Sequence, residues 1–218
     1  MGLGDAVLLA KFKVLGNKVG SLHSITLGAG PKFPIGTTNR TNSFGTQLPP
    51  DMQPGSGSWD GIFWMLYKKD QLFNPNLTMT FNAAYRVNGT SNKFAVSDAY
   101  RFGNEFRSSL GFSYRFFFLK TIWDAQLTGK FRHQVADQVS GNRLPSSGGY
   151  WFYAIPAINV FLTKNLSLTI SSEIPVYDVV DGTQLTTTYR ISAGIGYKIQ
   201  TGKKKTPQLN TNTQNIIP

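Results

Sequence analysis

Apolar and polar residues alternate with period two over unusually long stretches of this chain, and that periodicity restricts the fold more than any other feature. Leu77, Met79, Phe81, Ala83 and Tyr85 interleave with Thr78, Thr80, Asn82, Ala84 and Arg86. Phe102, Phe106, Leu110, Phe112, Tyr114 and Phe116 oppose Arg101, Glu105, Arg107, Ser109, Ser113 and Arg115. Trp123, Ala125, Leu127, Gly129 and Phe131 alternate with Asp124, Gln126, Thr128, Lys130 and Arg132. Leu166, Leu168, Ile170 and Ile174 oppose Ser167, Thr169, Ser171 and Glu173, and a last segment runs from Thr187 to Ile199 around Arg190 and Lys198. Successive side chains of a strand point to opposite faces, so each segment carries one aromatic-rich face and one polar face. Weaker alternation covers residues 6–15, 22–33, 59–67 and 150–162. The chain thus reads as about nine strands, most of them longer than the roughly 5–6 residues usual in soluble sheets and close to the roughly 9–11 a tilted membrane strand needs.

Composition agrees. Only 15% of the residues are charged and 13% are aromatic, with Glu105 and Glu173 the only glutamates, so a soluble coat over an aromatic core is lacking. No run approaches the roughly 18 apolar residues of a membrane helix; the longest, residues 62–67, is far shorter. Zero cysteines exclude disulfide scaffolds, thiol enzymes and Cys-based zinc modules.

The connections between segments run short, long, short, long along the whole chain. The short ones cover residues 16–20, 68–76, 119–121 and 163–165; the long ones cover 36–58, 87–100, 133–149 and 175–186. Outer-membrane barrels have short periplasmic turns and longer extracellular loops, which predicts this alternation. Lys18, Lys68, Lys69, Lys120 and Lys164 gather at the short-turn rim. With the aromatic faces toward lipid, the inward faces carry Lys11, Lys13, Lys32, Arg86, Arg101, Arg107, Arg115, Lys130, Arg132, Arg190 and Lys198, opposed only by Asp60, Glu105, Asp124 and Glu173. Buried charge must be paired or hydrated. A surplus of cations therefore predicts a wet, electropositive lumen, and the whole chain is basic, at +11.

Strand parity adds an expectation. The last strand runs toward the short-turn side, and counting back makes the first one run the same way. A closed bacterial barrel has an even strand number. The expected protein is a barrel of ten to twelve strands whose N-terminal part is missing, with residues 1–200 as the barrel domain and 201–218 as a flexible, basic, polar periplasmic tail. The start, MGLGDAVLL, reads as neither signal peptide nor myristoylation site.

Motifs for chemistry are absent or weak. Gly28-Ala-Gly30 and Gly55-Ser-Gly57 lack the residues of phosphate loops, and no G-x-S-x-G elbow occurs. His23 and His133 read as rim residues; a lipid-acting site pairing His133 with Ser146 or Ser147 is the enzyme alternative. A single-strand nucleic-acid groove needs aromatics and cations on one face. Here they lie on opposite faces, so no nucleic-acid partner is expected. No catalytic residue, cofactor or metal site is expected either.

Several segments carry a family resemblance. They are Gly2-Leu-Gly-Asp5, Pro31-Lys-Phe-Pro-Ile-Gly36, the stretch from Leu48-Pro-Pro-Asp to Ser58-Trp-Asp60, Ile174-Pro-Val-Tyr177 leading to Gly182-Thr-Gln-Leu185, and Tyr189-Arg190 through Gly194-Ile-Gly-Tyr197. In this order they resemble the outer-membrane transporter barrels of Gram-negative bacteria, related to the MetA-pathway of phenol degradation family, across most of residues 2–199. The resemblance implies an outer-membrane barrel of about twelve strands with an uptake or efflux role and no catalytic residues.

The sequence therefore leads to an all-β antiparallel transmembrane barrel of the bacterial outer membrane, passing a small anionic or aromatic solute. Alternatives are a non-conducting barrel that scaffolds protein partners in the outer membrane or periplasm, and a lipid-acting barrel enzyme. The face assignment is testable by urea titration of the protein folded into lipid. Phe81→Arg, Phe112→Arg, Leu127→Arg and Ile195→Arg each cost about 2–4 kcal/mol, whereas Thr80→Arg and Ser113→Arg are tolerated far better. Equal losses on both faces would overturn the assignment.

Overall fold

The computed structural model describes residues 2–16, 18, 20–94, 99–184 and 188–199. In chain order the strands are β1 (Ala6–Val7), β2 (Ala10–Leu15), β3 (His23–Phe33), β4 (Asp60–Lys69), β5 (Leu77–Val87), β6 (Thr90–Ser91), β7 (Tyr100–Arg101), β8 (Glu105–Phe118), β9 (Thr121–Gln134), β10 (Gln138–Val139), β11 (Asn142–Arg143), β12 (Gly149–Phe161), β13 (Leu166–Val180) and β14 (Arg190–Tyr197). A single 3-10 turn, Pro50–Met52, is the only helical element among the described residues.

The long strands form one sheet in chain order, β3-β4-β5-β8-β9-β12-β13-β14, with both β1 and β2 on the outer edge of β3. Every neighbouring pair is antiparallel, so β2 and β14 run in the same direction at the two edges. Those edges are not paired with each other among the described residues. Connections alternate as expected: residues 16–22, 70–76, 119–120 and 162–165 lie at one end, and 34–59, 88–104, 135–148 and 181–189 at the other. The tightest is the turn between β8 and β9, where Leu119 and Lys120 both hold positive φ, 48° and 60°. That is the twist a two-residue hairpin turn demands.

Burial in this sheet is inverted relative to a soluble protein. On one face large apolar side chains stand in the open, among them Phe63, Leu110, Phe112, Leu127, Ile158 and Ile170; Leu127 is 60% exposed. At the loop-bearing end of the other face the Glu105 carboxylate is covered, at 2% exposed, as are Lys32 and Asp60. Apolar area left in water forfeits about 25 cal/mol per Å². So many large apolar groups on one face signal a non-aqueous neighbour.

The long connections are built structure. Residues 34–59 are ordered by Gln53, whose side chain binds the Arg40 amide and the Arg40 and Leu48 carbonyls. Gly36 and Gly55 pass so closely that a Cβ on Gly36 would lie 2.7 Å from the Gly55 Cα. The described residues of the connections after β5 and β9 form a second sheet, β11-β10-β7-β6. Its centre is Asp137, which accepts from Tyr100 OH at 2.6 Å, from the Gly103 amide at 2.7 Å and from Gln134 at 3.3 Å. Burial, with the hydrogen bond to Asp137 next, pushes the Tyr100 phenol well above its ordinary range. Phe94, Tyr100 and Ala136 are buried here beside Asn88 and Ser91. Much of the molecule's core thus sits in its loop cap.

Several sequence expectations change. Arg101 does not continue the strand of Arg107 and Arg115. The chain leaves the ladder at residues 102–104, where Gly103 packs against Val135 too tightly for any side chain, and Arg101 lies on β7 with its Nε donating to the Asn88 carbonyl at 3.0 Å. Segment 6–15 breaks between β1 and β2, because residues 8–9 press on Gly30. β13 runs through Pro175 to Val180 across a register shift opposite Phe152 and Tyr153, instead of ending at a loop from residue 175. β14 starts at Arg190; Thr187, Lys203–Lys205 and the rest of the tail lie outside the described residues.

The cap is testable by chymotrypsin on the folded protein in detergent. Cleavage comes first after the exposed Phe44 and Phe73, and Phe94 and Tyr100 resist. Asp137→Ala speeds cleavage after Tyr100 about tenfold or more, since a charge-assisted hydrogen bond is worth about 1.5–3 kcal/mol. Unchanged resistance at Tyr100 would show that Asp137 does not hold the cap.

Candidate functional site

Three strands bring four charged side chains together at the loop-bearing end of the polar face. Glu105 opens β8, Arg107 follows on the same side two residues later, Arg86 stands opposite Glu105 on β5, and Arg132 stands opposite Arg107 on β9. Arg107 grips the Glu105 carboxylate with Nε and Nη2, both at 2.8 Å. Arg86 Nη2 donates at 2.9 Å and Arg132 Nε at 2.5 Å. A carboxylate held in a guanidinium fork is among the stronger hydrogen-bonded pairs a protein makes. Here one buried carboxylate holds three cations.

The surroundings fix these cations in place. Arg132 Nη2 donates to Gln134 Oε1 at 2.7 Å, and its guanidinium lies 4.7 Å from the Trp151 ring centroid. Lys130 lies 4.8 Å from the Tyr153 ring and donates to both Glu173 oxygens, at 2.9 and 3.0 Å. Trp151 and Tyr153 are buried beneath them. Arg190 stands opposite Glu173 on β14. A separate clamp closes the neighbouring strands: Lys32 Nζ sits 2.5 Å from Asp60 Oδ2 and 3.1 Å from Asp5 Oδ2. Burial alone would raise the Asp5 carboxyl, but hydrogen bonds from Ser56, Lys32 and the Gly36 amide outweigh it and hold the group below its usual range.

A second charged group lies at the short-turn end. Arg115 grips Asp124 with two hydrogen bonds of 2.7 and 2.8 Å, and Lys68 pairs with Asp70 at 2.8 Å. They line a polar cavity of about 450 Å³ with Gln71, Asn76 and Thr78. Arg115 is eight residues beyond Arg107, about 27 Å along the strand at about 3.4 Å per residue. Between them on β5 and β8 the polar face is small and uncharged, through Asn82, Thr80, Ser109, Gly111 and Ser113, and on β9 Lys130 is followed by the neutral Thr128 and Gln126. A Cβ on Gly111 would meet Thr128 Oγ1 at 2.6 Å, so the glycine lets that hydroxyl cross the face.

Of the residues singled out by sequence, Arg86, Glu105, Arg107, Lys130, Arg132, Glu173 and Arg190 come together, and Arg115 and Asp124 form their own pair. Lys32 belongs to the clamp, Lys11 lies 4.5 Å from the Trp64 ring, Lys13 is on the exposed β2, and Lys198 follows β14. Arg101 is in the cap. The sequence reading missed Asp5, because it precedes the first strand, and Asp178, because the register shift at Pro175 returns it to the polar side opposite Trp151. It also missed Trp151 and Tyr153 as supports for the cations; their period-two spacing with Gly149 carried that signal. The two histidines stand at opposite rims, His133 stacked on Tyr150 at 4.5 Å and His23 bonded to Tyr67 OH at 2.8 Å. Ser147 Oγ is committed to the Leu144 carbonyl and the Asp137 amide.

A family model described as "Putative MetA-pathway of phenol degradation" matches residues 1–191. No curated protein matches the chain.

Removing the shared carboxylate is the sharpest test of the cluster. Glu105→Gln leaves three neighbouring guanidiniums without their counter-ion and costs about 3–5 kcal/mol. Glu173→Gln, which releases one partly exposed lysine, costs about 1 kcal/mol or less. Denaturant unfolding of the detergent-folded protein measures both, and equal costs would show that the cluster does not act as a unit.

Proposed function

The chain belongs to that family, and on this premise we propose that it is a β-barrel of the bacterial outer membrane that passes small solutes along its polar face. The inverted burial carries the reading: large apolar side chains lie open on one face, while the Glu105 carboxylate and the Lys32–Asp60 pair are buried on the other. Lipid against the apolar face and hydrated solute against the polar face account for both. The long strands β3, β4, β5, β8, β9, β12 and β13, of 10 to 15 residues, match the length a tilted membrane strand needs. The sorting of short turns to one end and long loops to the other matches barrels of that membrane.

The charge on the polar face gives the pore its preference. Lys32, Arg115 and Lys130 are paired with carboxylates, but Arg86, Arg107 and Arg132 share one, which leaves the loop-bearing end positive. Charge lining a pore sets the sign of the ion it passes.

Planar-bilayer recordings across a salt gradient test this. The reversal potential is anion-selective, more so in dilute salt where screening is weak, and Arg107→Glu reduces the selectivity. A cation-selective reversal potential overturns the electropositive path. Absence of conductance, together with no liposome swelling, overturns the pore and favours a scaffold.

A further inference from the structure

The arginine cluster contains more positive charge than its structural task requires. One arginine neutralises a buried carboxylate, and Glu105 already has Arg107 in bidentate geometry. Arg132 is nevertheless placed directly opposite Arg107 in the β8–β9 register. Like charges facing each other across a strand pair destabilise a sheet. A glutamine at either position would tie the strands at no such cost. Arg86, Arg107 and Arg132 share Glu105, an excess of two positive charges at the cluster, and the adjoining clamp of Lys32 with Asp5 and Asp60 offsets one of them. The exposure is one-sided too: the Glu105 side chain is 3% exposed, but that of Arg107 is 52%. The carboxylate is sealed behind the cations it organises.

We propose that Arg86, Arg107 and Arg132 form a seat for solutes bearing two carboxylates, with Glu105 as the internal group that preorganises them. The Nε–Nη2 edge of Arg107 is taken by Glu105, and its second edge, between Nη1 and Nη2, matches another carboxylate in two-point contact. The three arginines span β5 to β9, two inter-strand spacings or about 9.5 Å, which accommodates two carboxylates on one short carbon chain. The excess of two charges within the cluster itself favours a dianion. Recognition is by charge and not by ring stacking, because the faces of Trp151 and Tyr153 that point to the cluster are occupied by Arg132 and Lys130. The seat names the solute class of the pore proposed above and rests on the polar face being open to solute. Its stabilising parts are separable: the cation–ring contacts and Gln134 hold Arg132 upright, which lowers the ordering cost of binding.

Equilibrium dialysis of radiolabelled succinate against the detergent-folded protein tests the seat without requiring conductance. Saturable binding is expected, weakened about tenfold or more by Arg107→Gln and by Arg132→Gln, and partly kept by Arg107→Lys, which retains charge without the fork. Arg115→Gln, at the other end of the polar face, leaves binding within about twofold. Circular dichroism and the heat-dependent shift in gel mobility confirm that each variant is folded. Absence of saturable binding, or equal binding by folded Arg107→Gln, overturns the seat. Displacement of succinate by inorganic phosphate at equal concentration overturns the carboxylate assignment. Succinate binding without conductance removes the pore and keeps the seat; anion-selective conductance without succinate binding does the reverse.

Discussion

Hydrogen bonds between adjacent antiparallel strands take up the backbone of this chain, and that frees its side chains to be sorted inside out. In a medium without water an unpaired amide or carbonyl costs several kcal/mol, so a spanning structure must satisfy its backbone internally. The ladders from β3 to β14 do this strand by strand, through eleven registered pairs between β12 and β13 and fourteen between β8 and β9. Once the ladder is satisfied, no hydrophobic core is needed between layers. The apolar side can face lipid, and the polar side can collect charge. The cap follows from the same constraint, because it is there, where the ladders end, that backbone groups must find side chains: Asp137 takes the Gly103 amide, Asn88 the Gly103 carbonyl, and Asp5 the Gly36 and Ser56 amides.

The strands and their faces were legible because period-two alternation is local and long. Phe112 and Ser113 fall on the faces their spacing assigns, as do Leu127 and Gln126. The cap was not legible. Its strands are two residues each, too short for a period, and their pairing joins segments some forty residues apart through Asp137. Arg101 was misplaced for that reason: the alternation continues through residues 100–106 although the chain departs from the sheet there. Asp178 was lost to a one-residue shift, since adding a residue to one strand exchanges the faces of everything beyond it. Charge pairing was half legible. The excess of cations could be counted, but that three of them meet on Glu105 depends on the register between β5, β8 and β9.

That convergence sets the character of the polar face. Its two charged ends are built differently. At the short-turn end Arg115 with Asp124 and Lys68 with Asp70 are matched one to one, whereas at the loop-bearing end three arginines lean on a single acid. The electrical profile along the face is therefore uneven, with small neutral residues between. In the pore proposed above, a solute entering beneath the cap would meet the more positive end first.

The two-residue turn at Leu119 and Lys120 bears on how such a sheet is assembled. The entropic cost of bringing two strands together grows with the loop between them. β8 and β9 are joined by a two-residue connection, the shortest between the long strands, and they share fourteen registered pairs. Nowhere else is so much pairing gained for so little closure. This hairpin is the place where register is cheapest to establish, and the neighbouring strands add to it outward on both sides. A slip of one residue here would turn every arginine of one of the two strands onto the apolar face, so the turn acts as the ruler from which the sidedness of the whole sheet is measured.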